Sequence, residues 1–223
     1  MWSMTYRRWF SFIILLFLLP SCCLLLSGCE AIGVAAYKVA GPPPIDAKYT
    51  PAKTPMLVIV ENYQHQSSSN PHADMLANYL TEDLEAENVA PMVPREKLQE
   101  LRDSKPVEYP SMSITAIGRA TGASQILYVQ LTSSSVQPLA GGEGYSGSTT
   151  AMVKMVDVIT GQTLWPTATS EGYPVSAAAK LGSRNGANPM EVRQKMYLSL
   201  TGQIGRLFHK WKPENMSPEN YEK

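Results

Sequence analysis

The chain has 223 residues, with 19 basic and 19 acidic side chains and a formal net charge of zero. That balance leaves no electrostatic footprint for nucleic acid and excludes a polybasic arm as the main membrane anchor. Cys22, Cys23 and Cys29 are the only cysteines. The rest of the chain therefore offers no disulfide, no thiolate nucleophile and no cysteine-ligated zinc or iron–sulfur site.

At the N-terminus Arg7 and Arg8 precede an uncharged run from Trp9 to Leu26, strongly apolar from Phe12 to Leu19, and then Leu26-Ser27-Gly28-Cys29. Small residues before Cys29 suit a peptidase that needs an extended, uncrowded backbone. The four residues and their position after an apolar segment resemble the lipobox of bacterial lipoproteins. The resemblance implies cleavage after Gly28 and fatty acylation of Cys29, with two or three acyl chains giving firm membrane attachment where a single one would not. Residues 1–28 are then a signal peptide, and 195 residues remain, with 17 basic against 19 acidic side chains. An uncleaved membrane span is the alternative, and the uncharged run is at the short end of the roughly 20 residues that a span requires. Arg7-Arg8-Trp9-Phe10 has a twin-arginine look, but the hydrophobicity that follows favours the general export route. Position 30 is Glu and not Asp, which by resemblance to Gram-negative sorting favours the outer membrane.

Residues 29–55 carry Pro42, Pro43, Pro44, Pro51 and Pro55. Proline fixes φ and removes donors, so the lipidated cysteine and a proline-rich tether are expected here. Met56-Leu57-Val58-Ile59-Val60 reads as a buried strand. Pro71 to Asn88 reads as a helix capped by Asn70, with Leu76, Leu80 and Leu84 on one stripe and Glu82, Asp83, Glu85 and Glu87 mostly on other faces. Val89–Val93 is expected as a second strand, Pro94–Ser104 as a short helix, and Ser111–Ala123 as another, capped by Ser113 and stopped near Gly122. Gln125–Leu131 alternates like a strand. Residues 133–147 read as a polar, broken loop with the glycine-rich stretch Gly141–Gly147 at its end. Thr149–Val158 and Gln162–Thr169 make a hairpin about Thr160-Gly161. Residues 176–189 read as loose. Pro189–Trp211 is a helix with Val192, Met196, Leu200, Ile204, Phe208 and Trp211 in one stripe. The expected order β-α-β-α-α-β-β-β-α gives an α/β or α+β domain over residues 56–211, a mixed sheet with helices packed on it, followed by a flexible tail at 212–223.

Two segments carry a second resemblance. Ile117-Gly118-Arg119-Ala120-Thr121-Gly122-Ala123-Ser124-Gln125-Ile126-Leu127-Tyr128-Val129 is a helix end running into a strand. Val156-Asp157-Val158-Ile159-Thr160-Gly161-Gln162-Thr163-Leu164-Trp165 is a hairpin. Together they resemble a group of envelope lipoproteins that includes the curli-secretion channel protein and the lipoprotein activators of penicillin-binding proteins. These share a small fold similar to the N-terminal domain of TolB. The resemblance covers roughly residues 56–170 and implies an assembly or regulatory role without an active site.

The candidate sites follow from these features. Gly144, Tyr145 and Gly147 form the candidate partner-binding loop, an aromatic side chain among glycines on a mobile support. The loop lacks the Gly-Lys-Ser/Thr ending of a phosphate loop. His65 and His72, with Asp74 nearby, match no metal-ligand spacing, and His209 reads as a surface residue. Ser67, Ser68 and Ser69 lack the Gly-x-Ser-x-Gly elbow of a nucleophile. No catalytic residue, metal or cofactor is expected. The expected protein is a binding or assembly domain anchored through Cys29, on the periplasmic face of the outer membrane. Its partners would be another envelope protein and further copies of itself, and no nucleic acid. The alternatives are an envelope hydrolase acting on glycan or peptide, which needs convergent carboxylates, and a subunit of an outer-membrane secretion channel. For the channel, residues 133–147 are too polar and broken to form long lipid-facing hairpins.

Overall fold

The apolar run at residues 56–60 is continuous because both faces of its strand are covered. In the computed structural model it opens β1 (Met56–Asn62). Leu57 and Ile59 point into one core, while Met56, Val58 and Val60 point into another. The structure describes residues 43–62, 70–142, 144–182 and 188–213. The signal peptide, Cys29, the tether up to residue 42, His65, Ser67, Ser68, Ser69, Glu143 and the tail from residue 214 lie outside the described residues.

After β1 come α1 (Pro71–Ala86), α2 (Arg95–Ser104), a 3-10 turn (Tyr109–Ser111) and α3 (Ile114–Thr121). Strands β2 (Gln125–Pro138), β3 (Gly144–Asp157), β4 (Thr163–Trp165) and β5 (Tyr173–Gly182) follow, and then α4 (Pro189–Gly205). The helix starts are set by side chains that accept free backbone N–H groups. Asn70 Oδ1 accepts from His72 and Ala73 (3.1 and 3.3 Å), Ser113 Oγ from Ala116 (3.2 Å), and Asn188 Oδ1 from Glu191 (2.9 Å). Gly122 ends α3 in the left-handed region, at φ +78°.

The five strands form one mixed sheet. β1 and β2 are parallel, and β2 and β3 antiparallel. The outer edge of β3 is shared: β4 pairs near Met155 and Val156, and β5 pairs from Gly144 to Val153. Helices α1 and α4 cover one face through Leu76, Leu80, Leu84, Met196, Tyr197, Leu200 and Ile204. Each fully buried large apolar side chain contributes about 1.5–3 kcal/mol. The opposite face is covered over β1 and β2 by Leu98 of α2 and Ile117 of α3. The class is therefore α/β, a mixed sheet with helices packed on it. Among the described residues, no helix is long and apolar enough to cross a membrane.

Four expectations about the elements need correction. Val89–Val93 is not a strand but a single parallel bridge, Met92 with Met56. Met56 N–H donates to Pro91 O and Val93 N–H donates to Met56 O, both at 2.8 Å, and the flanking prolines 91 and 94 bring no donors to extend the ladder. Residues 133–147 are not a broken loop: β2 continues to Pro138 and β3 begins at Gly144. A register shift between Leu131 and Ser133 passes over Thr132 and resets the alternation that sequence periodicity relies on. Residues 173–182, most of them expected in a loose region, form β5, where pairing with β3 and burial of Val175 and Ala177 outweigh a weak apolar pattern. Finally, residues 46–55 belong to the compact unit Asp46–Trp211 and not to a free tether. Tyr49 N–H donates to Leu207 O (3.0 Å), and Gln125 Nε2 donates to Ala52 O and Thr54 O (2.6 and 3.1 Å). Two of the prolines that suggest a tether, Pro51 and Pro55, lie in this stretch, and Pro55 O accepts from Ser124 N–H (2.8 Å).

Candidate partner-binding surface

The two segments that carry the lipoprotein resemblance meet in space. Gly118 has no room for a side chain, since an added Cβ would lie 2.6 Å from Val158 Cγ2 and 2.8 Å from Ile126 Cδ1. Val158 N–H donates to Ser124 O (3.0 Å) and Ala123 N–H to Gly118 O (2.9 Å). The Asp157 carboxylate closes the turn, with Oδ1 accepting from Thr160 N–H (2.6 Å) and Thr160 Oγ1–H (2.8 Å). These bonds from Thr160 hold the Asp157 carboxyl below its ordinary value. Gly161 completes the turn at φ +74°. The shared motif is a helix–strand–turn knot that uses small residues for close approach, and it contains no chemistry. Gly118→Ala is expected to lower stability by about 1–3 kcal/mol through overpacking, measured as a shifted urea midpoint of the full chain in detergent. An unshifted midpoint would show that Val158 and Ile126 have space to yield.

Above this knot the β2–β3 hairpin runs on with β5 alongside, and its two faces differ. On the α4 side the rows are Ser134–Thr149–Ala177, Val136–Gly147–Ala179 and Pro138–Tyr145–Leu181. Tyr197 Oη and Ser134 Oγ share a hydrogen bond of 3.2 Å. Gly147 lies under α4, where a Cβ would meet Val192 Cγ1 at 3.0 Å and Met196 Sδ at 3.2 Å. The last row has Tyr145, half-buried, at its centre. The opposite side carries Ser133–Thr150–Ser176, Ser135–Ser148–Ala178 and Gln137–Ser146–Lys180, with no helix among the described residues packed over it.

The expected loop residues are thus strand residues. Gly144 is buried at φ +123°, and a Cβ there would strike Leu181 O and approach Gly182 Cα to 2.9 Å. Gly144 and Gly147 serve the packing of β5 and α4, and of the three only Tyr145 presents a side chain at the surface. The chain turns between Pro138 and Gly144, with Leu139 N–H donating to Gly144 O (2.9 Å) and Gly142 N–H to Leu139 O (3.0 Å).

The charged groups form braces between helices. Arg95 and Arg102, seven apart and so on one face of α2, both donate to Asp74 Oδ1 of α1 (3.1 and 2.8 Å). Arg95 Nη1 also reaches Val58 O at 3.4 Å. Charge–pattern reading along α1 alone does not find this brace, because its partners come from another helix. Tyr128 Oη–H donates to Glu61 Oε2 (2.5 Å), and burial, then this bond, push the phenol well above its ordinary value. Burial likewise raises the Asp83 carboxyl above 3.8, while His209 pulls it back. His209 lies 3.9 Å from Asp83 Oδ2 and 3.7 Å from Glu87 Oε2. His209 is half-buried between α1 and the end of α4 and is not a free surface residue. His72 Nε2 lies 2.9 Å from Arg193 Nη1. Glu82 and Glu85 are exposed on α1, and Glu87 is exposed at its C-terminal cap. Among the described residues no group of three His, Cys, Asp or Glu side chains is placed to hold a metal ion.

No family model matches the chain, and no curated protein matches it. Among solved structures, the chain is similar to lipoprotein GNA1162 from Neisseria meningitidis, at 18% identity over 68% of this chain and 97% of that one, with a TM-score of 0.43. It is similar to the LpoB C-terminal domain from Salmonella enterica, at 17% identity over 60% and 88%, with a TM-score of 0.36. A third is the PelC dodecamer from Paraburkholderia phytofirmans, at 12% identity over 75% and 99%, with a TM-score of 0.41. A lipoprotein is thus among the solved structures to which this chain is similar.

Proposed function

We propose that this protein is a lipid-anchored, non-catalytic domain of the bacterial envelope that binds another envelope protein. Acylated Cys29 is the anchor, residues 30–45 are the tether, and the far end of the β2–β3 hairpin is the working surface. The periplasmic face of the outer membrane is the proposed location. The observation that carries this reading is the polarity of the domain. The chain joins the sheet where Tyr49 stacks on Trp165 at 6.3 Å between ring centres, and Trp165 contacts Tyr173 at 5.3 Å. From the Val153–Tyr173 row to the Tyr145–Leu181 row is eight residues of β3, roughly 27 Å of strand. The half-exposed apolar row Pro138–Tyr145–Leu181 thus lies at the end of the sheet remote from Tyr49 and Trp165.

The faces of the long hairpin also favour a binding domain over a channel subunit. A lipid-facing strand needs one apolar side. Here one side of the upper hairpin is Ser, Thr and Gln, and much of the other lies under α4. The test is a photo-crosslinking residue at Tyr145 in the full chain, in a bacterium that processes lipoproteins, with Thr169 near the opposite end as control. The expected result is a discrete adduct with one envelope protein from position 145 alone. Equal labelling from both positions, or none, would overturn the assignment of this surface.

A further inference from the structure

The two edges of the sheet are finished differently. Along β1 the edge is occupied: Pro91–Val93 pairs with Met56, and Arg95, held by Asp74 together with Arg102, donates to Val58 O. A charged brace from α1 to α2 therefore straddles that edge, one of the ways proteins block strand addition. β5 has no such cover. Among the described residues no backbone group bonds to its outer side, and the strand offers ten residues, Tyr173–Gly182.

We infer that the outer edge of β5 pairs antiparallel with the same edge of a second copy, forming a continuous sheet across a two-fold axis. Head-to-tail growth, β5 of one copy on β1 of the next, is blocked by the brace, so a self-complementary contact is the one left. The sequence of β5 is self-complementary in a register centred on Ala178. That register sets Val175 against the partner's Leu181 and Ala177 against the partner's Ala179, all on the face that α4 covers. On the other face it sets Ser176 against the partner's Lys180 and Pro174 against the partner's Gly182. The two ammonium groups are then offset by four residues, roughly 13 Å of strand, whereas a register centred on Lys180 would oppose them directly. The exposed side chains at the axis are small, so the two backbones meet without obstruction. If the proposed anchor holds, the arrangement is compatible with it. Tyr173 of each copy lies five residues from the axis, so the two lie roughly 34 Å apart along the strand direction. The 17 residues from Cys29 to Asp46 reach at most roughly 60 Å.

Single-cysteine crosslinking of the full chain in membranes tests this, because no cysteine follows Cys29. Residues facing themselves across the axis have Cα atoms about 4.5–5.5 Å apart, within the roughly 4.4–6.8 Å that a disulfide spans. Under mild oxidation Ala178→Cys, or its neighbours Ala177→Cys or Ala179→Cys for a register displaced by one, is expected to give a band at twice the chain mass. Ser176→Cys and the parent are expected to give none. In detergent, light scattering is expected to show a dimer for the parent and half that mass for Ala178→Lys, with an unchanged far-ultraviolet circular dichroism spectrum, since position 178 is exposed. A monomeric parent, an Ala178→Lys chain that stays dimeric, a crosslink from none of the three alanines, or a crosslink to a protein of different mass would each overturn the proposal. The tip adduct at Tyr145 is read separately, so failure of one result leaves the other standing.

Discussion

Cys29→Ala in the full chain is expected to abolish acylation completely and to leave residues 1–28 attached. The parent is expected to begin at Cys29 and to carry added acyl mass. Intact mass of both proteins, expressed in a lipoprotein-processing bacterium, is the measurement. Fractionation alone does not discriminate, because the retained apolar leader itself partitions into the bilayer. The magnitude follows from the proposed chemistry: a thiol at position 29 is what would accept the diacylglyceryl group, and alanine has none. Loss is therefore all-or-none, unlike a graded loss of affinity, since two or three chains hold a protein to a membrane almost irreversibly. Masses that differ only by the Cys-to-Ala exchange, both proteins retaining the leader, would make the N-terminus a membrane span. The sheet domain would then be tethered through a helix, with its binding surface still to be tested on its own.

Gly144→Ala is expected to have the largest effect within the folded domain. The residue sits at φ +123°, a region that costs a side-chain-bearing residue on the order of 1–3 kcal/mol. Its Cβ would also strike the Leu181 carbonyl and crowd Gly182 Cα, and these are backbone atoms of the paired strand that cannot swing aside. Unfolding midpoints of the full chain are expected to fall, and the ends of β3 and β5 to lose hydrogen-exchange protection before the rest of the sheet. Gly147→Ala is expected to be milder, because its nearest obstacles, Val192 Cγ1 and Met196 Sδ, are side-chain ends. Two variants of equal stability would show that the β3–β5 register gives way near Gly144 without cost.

These two glycines show how much of the fold was legible. A glycine-rich stretch around an aromatic reads locally as a mobile loop, since glycine is where backbones turn freely. In the structure Gly144 and Gly147 are strand residues, selected for close approach to β5 and to α4. That requirement comes from residues 181–196, far along the chain, and leaves no local signature. The Ala-rich strand β5 escapes for a related reason: Ser176-Ala177-Ala178-Ala179 has little strand propensity of its own, and its partner on β3 supplies the missing hydrogen bonds.

The sequence by itself determined what depends on neighbours a few residues apart. The Leu76–Leu80–Leu84 stripe, the Asn70, Ser113 and Asn188 caps, the Gly122 stop and the turn at Thr160-Gly161 are all local. The α/β class followed from their order. Tertiary structure alone decided which polar or glycine-rich segments become strands, that residues 46–55 lie on the domain, and that Asp74 braces α1 to α2 across the β1 edge while β5 is left open. Those outcomes turn on backbone pairing and packing between residues tens of positions apart, and no local period encodes such a pairing.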